Sequence, residues 1–425
     1  MPSAPHSPEP AQATPPAPQP RVSARQTFAA LQHRNYRLWF FGQMVSLFGT
    51  WMQATAQGYL VYQLTGSPAY LGVVGFAGGV PAWIFTLYAG VVADRIPRRT
   101  LLLITQAVMM ALAFAQAALV ATGHVQPWHI AALAFALGIA NAFDAPARLA
   151  FVRELVTRED MTNAIALNAM MFNTATFAGP AVAGLAYALI GPAWCFALNG
   201  LSFLGVISAL LLMRIPPQAR QSARGSAWSE LAEGVRYIGA TPAVRTLILL
   251  VGATSMFGIS FATLFPVWAT DILGGDAATN GLLQSARGLG ALLSALLIAS
   301  LGRFSYKGKL LSLGTFLFPA LLLVFAAVRW LPLALLVLVA SGVAIILVMN
   351  LANALVQNLV PDALRGRVMA VYSMTFFGAM PIGALWVGWI AELAGAPLAV
   401  AAGALVGLVV AALVWLLTPA IRRLQ

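Results

Sequence analysis

The stretch that decides the fold of this chain is Gly90-Val91-Val92-Ala93-Asp94-Arg95-Ile96-Pro97-Arg98-Arg99. Four of its ten residues are charged, although only 8% of the 425 residues in the chain are charged. Long apolar runs come directly before and after this stretch. A charged turn between two apolar runs is typical of a loop that joins two membrane-spanning helices.

Apolar runs of the same kind fill nearly the whole chain, which is 60% apolar and has a mean hydropathy of +0.84. A helix needs about 20 apolar residues to cross the roughly 30 Å of hydrocarbon in a bilayer. Charged residues and Pro or Gly turns divide the sequence into twelve such runs, which predicts an all-α membrane protein. The predicted spans are 37–60, 69–92, 100–122, 128–147, 164–190, 192–213, 246–270, 279–301, 309–328, 332–356, 367–391 and 396–418.

The opening stretch lies between the second and third predicted spans and follows the pattern Gly-x-x-Ala-Asp-Arg-x-x-Arg-Arg. This pattern resembles the loop between helices 2 and 3 of the major facilitator superfamily of transporters, in which Gly usually occupies the position of Pro97. The resemblance extends over about residues 28–418 and implies twelve transmembrane helices in two pseudo-symmetric six-helix halves. It also implies a small-molecule substrate, a monomer, a proton gradient as the energy source and no cofactor.

An internal repeat supports two halves. When the sequence is shifted by 204 residues, Leu155–Asp160 aligns with Leu359–Leu364, and Ala166–Met170 aligns with Ala370–Met374. We therefore predict an N-terminal half over 28–213 and a C-terminal half over 246–418. The predicted segments outside the halves are a Pro-rich disordered tail over 1–27, a linker with a short surface helix over 214–245, and a tail over 419–425.

The basic residues predict the orientation. All 24 Lys and Arg residues except Arg287 and Arg329 fall on one side of the predicted spans. The positive-inside rule places that side, and both termini, in the cytoplasm. The resemblance implies that the membrane is a bacterial inner membrane. The net charge of +12 is thus explained by topology and anionic lipid rather than by nucleic acid. The single cysteine, Cys195, excludes an internal disulfide, and the sequence contains no metal-binding or nucleotide-binding motif that would indicate an enzyme.

The resemblance implies a latch on the cytoplasmic side. Asp94 would meet the N-terminus of the eleventh span near Gly366, where a carboxylate is favoured by the helix dipole. Arg98 would pair with an acidic residue of the fourth span, here Asp144, and Asp144 can also pair with Arg148 four residues later. Such contacts, made only when this side is shut, would favour the outward-open state. A topology signal with incidental ion pairs is the alternative. The predicted latch residues are Asp94, Arg95, Arg98, Asp144, Arg148 and Gly366.

Two further segments indicate export. The segment Phe143–Arg148 resembles the end of helix 4 in the siderophore-exporter and macrolide-efflux branch of the superfamily. The segment Gly179-Pro180-Ala181-Val182-Ala183-Gly184 resembles the Gly-Pro-x-x-Gly-Gly signature of its exporters. We predict a packed hinge at Gly179, Pro180 and Gly184 because small residues allow close helix packing and Pro permits a kink. An importer of a small organic solute is the alternative, and a membrane receptor or enzyme is a remoter one.

The substrate cavity is predicted from polar residues inside the spans. In the first span, five polar residues recur every 3 or 4 positions and therefore share one helix face, directed at the cavity or at another helix. Arg287 is the one basic residue inside a span and is expected to attract an anionic substrate, with a structural tie to carbonyl groups or to Asp271 as the alternative. Asp144 is the one carboxylate that the sequence places within a span, and it is the candidate group for the proton antiport that the resemblance implies. The predicted cavity residues are Gln43, Ser46, Thr50, Gln53, Gln57, Asn168, Arg287, Asn350, Asn353 and Tyr372.

Overall fold

The computed structural model describes residues 28–214, 227–301 and 306–424. The predicted tail over 1–27 lies outside the described residues, as do 215–226 of the linker, 302–305 and Gln425. The described residues form helices and turns without a β-strand.

Six helices make up the first part of the described chain. They are α1 (Arg34–Thr65), α2 (Pro68–Arg95), α3 (Arg98–Ala121), α4 (Pro127–Leu155), α5 (Met161–Ile190) and α6 (Pro192–Leu212). The linker contains α7 (Ala227–Ala240). The second part comprises α8 (the helical run over 242–272), α9 (Ala277–Leu301), α10 (Lys307–Ala327), α11 (Leu331–Leu359), α12 (Asp362–Ala394) and α13 (Ala396–Leu417). Short 3-10 turns cover Ala29–Gln32 and Pro419–Arg423.

Ten of these helices are long and apolar enough to cross a membrane, namely α2, α3, α4, α6 and α8 to α13. The two other predicted spans, α1 and α5, are helices of 32 and 30 residues that carry more polar side chains. The chain is therefore a multi-span membrane protein, and a count of exactly twelve crossings stays a prediction.

The helices pack as two groups. In the first group α1 packs on α5 and α6, α2 on α4, and α3 on α4 and α6. In the second group α9 packs on α11, α10 on α11 and α13, and α12 on α13. The main contacts between the groups are α2 with α12 and α5 with α9. The helices α4 and α11 end at Leu155 and Leu359. These two ends are separated by the same number of residues as the two copies of the sequence repeat.

The two ends of the bundle differ in charge. We call one end the basic face, because several helices begin or end there at basic residues, namely Arg34, Arg95, Arg98 and Lys307. We call the other end the opposite face, where the acidic residues are Asp271, Asp276 and Glu392.

The linker helix α7 packs at the basic face against the start of α12. Glu233 pairs with Arg367 at 2.5 Å, and the Tyr237 hydroxyl donates to the Leu359 carbonyl at 3.4 Å. Ile238 is buried, whereas Val235 is 53% exposed. The helix that the sequence predicts in the linker is therefore attached to the second group of helices.

The helices α2 and α12 touch at the opposite face and separate toward the basic face. A Cβ on Gly72 would lie 2.5 Å from the Ala384 carbonyl oxygen, so the two backbones are in contact there. Gly90 lies about five turns further along the same face of α2, and Gly366 lies about five turns from Ala384 on α12. Among the atoms that the structure describes, a Cβ at Gly90 or at Gly366 would meet none within 4 Å. The bundle is therefore closed at the opposite face and open at the basic face.

Candidate functional site

A cavity of about 290 Å³ lies between the two groups of helices. Its wall is mostly apolar, with polar side chains from Gln57, Asn141, Thr263 and Gln284. The lining residues are Ala54, Gln57, Gly58, Leu71, Val74, Gly75, Gly78, Ala134, Leu137, Gly138, Asn141, Ala262, Thr263, Pro266 and Gln284. An apolar cavity with a few polar groups suits small amphipathic compounds.

The predicted polar stripe of α1 divides between the cavity and the interior of the first group. Gln57 lines the cavity, and Thr50 is exposed and donates to the Ser46 carbonyl of its own helix at 2.9 Å. Gln43, Ser46 and Gln53 are all less than 5% exposed. Consecutive residues of a helix are 100° apart, so the five residues of the stripe spread over about 80° around the axis of α1. The edge of the stripe that contains Gln53 faces α6.

Gln53 is not a cavity residue, which corrects the prediction. Its Oε1 accepts from Asn199 of α6 at 2.6 Å, and its Nε2 donates to Gln116 of α3 at 3.4 Å. Close approach of α6 makes this possible, because a Cβ on Gly49 would collide with Ser202 and with Asn199. The alternative of interhelical hydrogen bonding is the correct one at this position.

The predicted cavity residues on α5, α11 and α12 lie nearer the basic face and do not line this cavity. Asn350 is exposed and Asn168 is partly exposed. Asn353 accepts from Gln357 at 2.6 Å. Tyr372 is buried and donates to the Met349 carbonyl at 3.3 Å, so it joins α12 to α11 rather than facing an open space.

Arg287 lies in the middle of α9, one residue before a glycine that packs on α5. A Cβ on Gly288 would lie 2.6 Å from the Thr176 carbonyl oxygen. The Arg287 guanidinium carbon is 6.0 Å from the centre of the Phe265 ring. Its Nε is enclosed and has no hydrogen-bond partner in the described part of the chain.

Two of the three predicted hinge residues, Pro180 and Gly184, lie where the two groups of helices meet. A Cβ on Gly184 would lie 2.4 Å from the Ala277 carbonyl oxygen, and a Cβ on Gly281 would lie 2.3 Å from the Pro180 carbonyl oxygen. Gly179 faces Trp51 of α1. Because α5 is continuous through Pro180, the structure shows close packing of α5 on α9, and a bending role stays a prediction.

Asp144 forms a hydrogen-bonded cluster between α3 and α4. It is 1% exposed, and its Oδ1 accepts from Thr105 and Gln106, both at 2.9 Å. Arg148 Nε lies 3.5 Å from the other carboxylate oxygen, so these two residues pair as their spacing predicts. The charge is compensated on both oxygens, as burial of a carboxylate requires.

The predicted pairing of Arg98 with Asp144 is not made in this structure. Arg98 instead donates to Glu154, at the end of α4. Thr105, which contacts Asp144, lies about 10 Å further along α3 than Arg98. Because the pairing is expected when the basic face is shut and this structure has that face open, it stays a prediction.

The contact predicted between Asp94 and the start of α12 is not tested by this state of the molecule. The Asp94 side chain lies outside the described part of the structure. Gly366 faces open space and Arg95 is exposed, as a separated basic face requires. The latch is expected only when this face is shut, so it stays a prediction.

The contacts that close the opposite face were not predicted from the sequence. Glu392 of α12 accepts from the Ser67 hydroxyl at 2.7 Å and from the Ala69 backbone N–H at 3.1 Å, at the first turn of α2. The Tyr62 hydroxyl of α1 donates to Asp271 of α8 at 2.5 Å. Both contacts join the two groups of helices. The two acids could be placed near helix ends from the sequence, but nothing in it indicated their partners.

Two packed groups of membrane helices, with a cavity between them that is closed at one face, define a transporter that works by alternating access. Residues 25–423 match the family of transmembrane secretion effectors within the major facilitator superfamily, and the chain belongs to this family. It is therefore a transporter and not an enzyme. Among the described residues, no cluster of three or more His, Cys, Asp or Glu side chains could hold a metal ion.

Relatives of known function match most of the chain. The multidrug efflux pump Tap of Mycolicibacterium fortuitum is 26% identical over 84% of this chain and 88% of its own length. The staphyloferrin A transporter of Staphylococcus aureus is 24% identical over 84% of this chain and 90% of its own length. The enterobactin exporter EntS of Shigella boydii is 26% identical over 84% of this chain and 85% of its own length.

Solved transporter structures share the fold. A bacterial homologue of the human lysosomal transporter Spinster, in an inward-facing and unoccupied conformation, superposes with a TM-score of 0.69. It is 13% identical and covers 94% of this chain and 98% of its own. The nucleoside transporter NupG superposes with a TM-score of 0.67 at 14% identity, and the match covers 90% of this chain and 97% of NupG. At these identities the likeness concerns the fold alone.

Proposed function

We propose that this chain exports small amphipathic compounds, such as siderophores or drugs, across a bacterial inner membrane. The observation that carries the proposal is the mostly apolar cavity between two groups of helices that are closed at one face and open at the other. Relatives that match more than four fifths of the chain support this proposal: two of them are a multidrug efflux pump and an enterobactin exporter, and a third transports the siderophore staphyloferrin A. A monomer is the proposed transporting unit, as the family resemblance implies.

The orientation follows from the charges. The basic face carries both ends of the described chain, and the positive-inside rule makes such a face cytoplasmic. With that orientation the structure is the inward-open state, in which a compound enters the cavity from the cytoplasm. Closing the basic face and breaking the Glu392 and Asp271 contacts would release it outside.

A proton gradient is the proposed energy source. The family resemblance supports this proposal, and the protonophore in the experiment below tests it.

Accumulation of labelled compounds in efflux-deficient bacterial cells tests the proposal. The panel comprises a metal-free siderophore, a macrolide and a cationic dye. We expect wild type to lower accumulation of at least one compound, and a protonophore to abolish the difference.

Asp94→Asn should reduce the export of that compound, because it removes the carboxylate of the predicted latch. Glu159→Gln, which neutralises an exposed acid in the loop between α4 and α5, should behave like wild type. Higher accumulation with wild type than with empty vector would mean import and would contradict the proposal.

A further inference from the structure

Arg287 is a cation at mid-membrane depth. It lies about 15 Å along α9 from the opposite face. The adjacent Gly288 packs on Thr176, which is itself near the middle of α5. A charged side chain at this depth is costly unless it faces water, a counter-ion or a ligand.

No counter-ion for Arg287 is found within the described chain. Asp271 and Asp276 flank the start of α9, but Asp271 bonds to Tyr62 and Asp276 accepts from the backbone N–H of Thr279. The alternative of a structural tie to Asp271 is therefore not what the structure contains. The Nε atom of Arg287 is enclosed without an acceptor, and the residue as a whole is only partly buried.

Arg287 belongs to a row of polar residues on one face of α9. Asn280, Gln284, Arg287 and Ser294 are separated by 4, 3 and 7 positions, which places them on the same side of the helix. Gln284 lines the cavity and lies 3.4 Å from the Thr55 hydroxyl of α1. The side-chain nitrogen of Asn280 and the hydroxyl of Ser294 are buried without partners, as Nε of Arg287 is.

The neighbouring faces of α9 are accounted for by other contacts. Gly288 faces α5, and Gly290 faces α11, where a Cβ would lie 2.1 Å from the Val339 carbonyl oxygen. Leu293 and Leu296 are exposed apolar residues on a further face, as contact with lipid requires. The polar row therefore borders the interior, beside the cavity.

We propose that Arg287 and this polar row form an anion-binding site that takes a carboxylate group of the exported compound. A guanidinium can hold a carboxylate through two parallel hydrogen bonds. Lipid headgroups lie at the membrane surfaces, so the depth of Arg287 favours a substrate over a lipid anion. This inference rests on the proposed transport function, because it names the chemical class of compound that the same cavity takes.

Binding of a matched acid and ester tests the site. Full-length protein in phosphatidylcholine nanodiscs is titrated with 1-pyrenebutyrate and with its neutral methyl ester, and energy transfer from tryptophan to pyrene is measured against empty nanodiscs. For Arg287→Gln we expect the Kd of the acid to rise about tenfold, equivalent to about 1.4 kcal/mol, with the Kd of the ester unchanged. Arg287→Lys keeps the charge and should retain most of the affinity for the acid.

Arg329→Gln is the matched control, because it removes the same charge far from the cavity. Arg329 bonds to the carbonyl groups of Ala326 and Val328 beside the opposite face. We expect it to leave both Kd values unchanged. An equal effect of Arg287→Gln on acid and ester, or an unchanged Kd for the acid, would overturn the proposal.

Thermal unfolding separates this site from a structural role. Removal of a buried charge that has no partner should leave the unfolding temperature unchanged or raise it. A clear fall in Arg287→Gln would overturn the proposal. If the protein exports neutral compounds but binds the acid and the ester equally, this inference alone is overturned. If it binds the acid selectively but exports no compound, only the proposed function is overturned.

Discussion

Neutralising Glu392 should shift the molecule toward the state in which the opposite face is open. Its carboxylate accepts from Ser67 and Ala69 at the N-terminus of α2, and this contact joins the two groups of helices. Glu392→Gln keeps an oxygen that can accept a hydrogen bond but removes the negative charge. A charge at an exposed helix N-terminus contributes about 0.3–1 kcal/mol. The outward-open population should therefore increase about two- to fivefold.

Site-specific labelling measures this population. Thr263 lines the cavity, and the single native cysteine, Cys195, is buried. In a Cys195→Ser background, Thr263→Cys should react with an impermeant maleimide added outside only when the opposite face opens. The labelling rate should rise about two- to fivefold with Glu392→Gln, in proportion to the population shift.

Asp276→Asn provides the matched control. Asp276 also lies at a helix N-terminus of the opposite face, but in the described part of the chain its carboxylate accepts hydrogen bonds only from Thr279 of the same helix. We expect no change in the labelling rate of Thr263→Cys. An unchanged rate in Glu392→Gln, or an equal increase in Asp276→Asn, would refute the reasoning.

Three further predictions concern the packing and the polar clusters. Gly184→Leu should abolish transport, because even a Cβ would lie 2.4 Å from a backbone oxygen of α9, whereas Gly239→Ala in the linker helix meets open space and should transport normally; equal transport by both would contradict this packing account. Asp144→Ala should lower the free energy of unfolding by about 1–3 kcal/mol, because it leaves the buried side chains of Thr105 and Gln106 without their acceptor; an unchanged free energy of unfolding would contradict a structural role for this carboxylate. Gln53→Ala should lower the free energy of unfolding by about 1–3 kcal/mol, because it leaves the buried side chains of Asn199 and Gln116 unpaired. Thr50→Ala should change this free energy by less than about 0.5 kcal/mol. A similar loss in both variants would contradict a stabilising role for the buried cluster.

The sequence predicts the helices well because a bilayer imposes a minimum apolar length on each of them. The edges are less accurate. The first predicted span covers 37–60, whereas α1 extends from Arg34 to Thr65, because a helix continues through the interface beyond the apolar core. The seventh predicted span covers 246–270, whereas α8 begins at Pro242 and contains π turns at Thr254–Gly258 and Trp268–Ile272. Such local changes of helix type have no apolar periodicity of their own.

The site is less predictable because it depends on which helices are neighbours and at what depth. The spacing of the α1 stripe gives its face, but only the position of α6 decides that Gln53 is covered and Gln57 is not. The pairing of Arg98 with Glu154 depends on the relative depth of α3 and α4. The polar row that includes Gln284 and Arg287 has a helical spacing in the sequence, and this signal could have identified Gln284 as a cavity residue.

Transport into everted membrane vesicles tests the central claim most directly. In such vesicles the basic face, which is the proposed cytoplasmic side, is on the outside, and respiration acidifies the interior. The account predicts that vesicles with wild-type protein accumulate a siderophore, a macrolide or a cationic dye, that a protonophore stops this accumulation, and that Gly184→Leu vesicles show none. Protonophore-sensitive accumulation by right-side-out vesicles instead, with none in everted vesicles, would contradict export from the basic face.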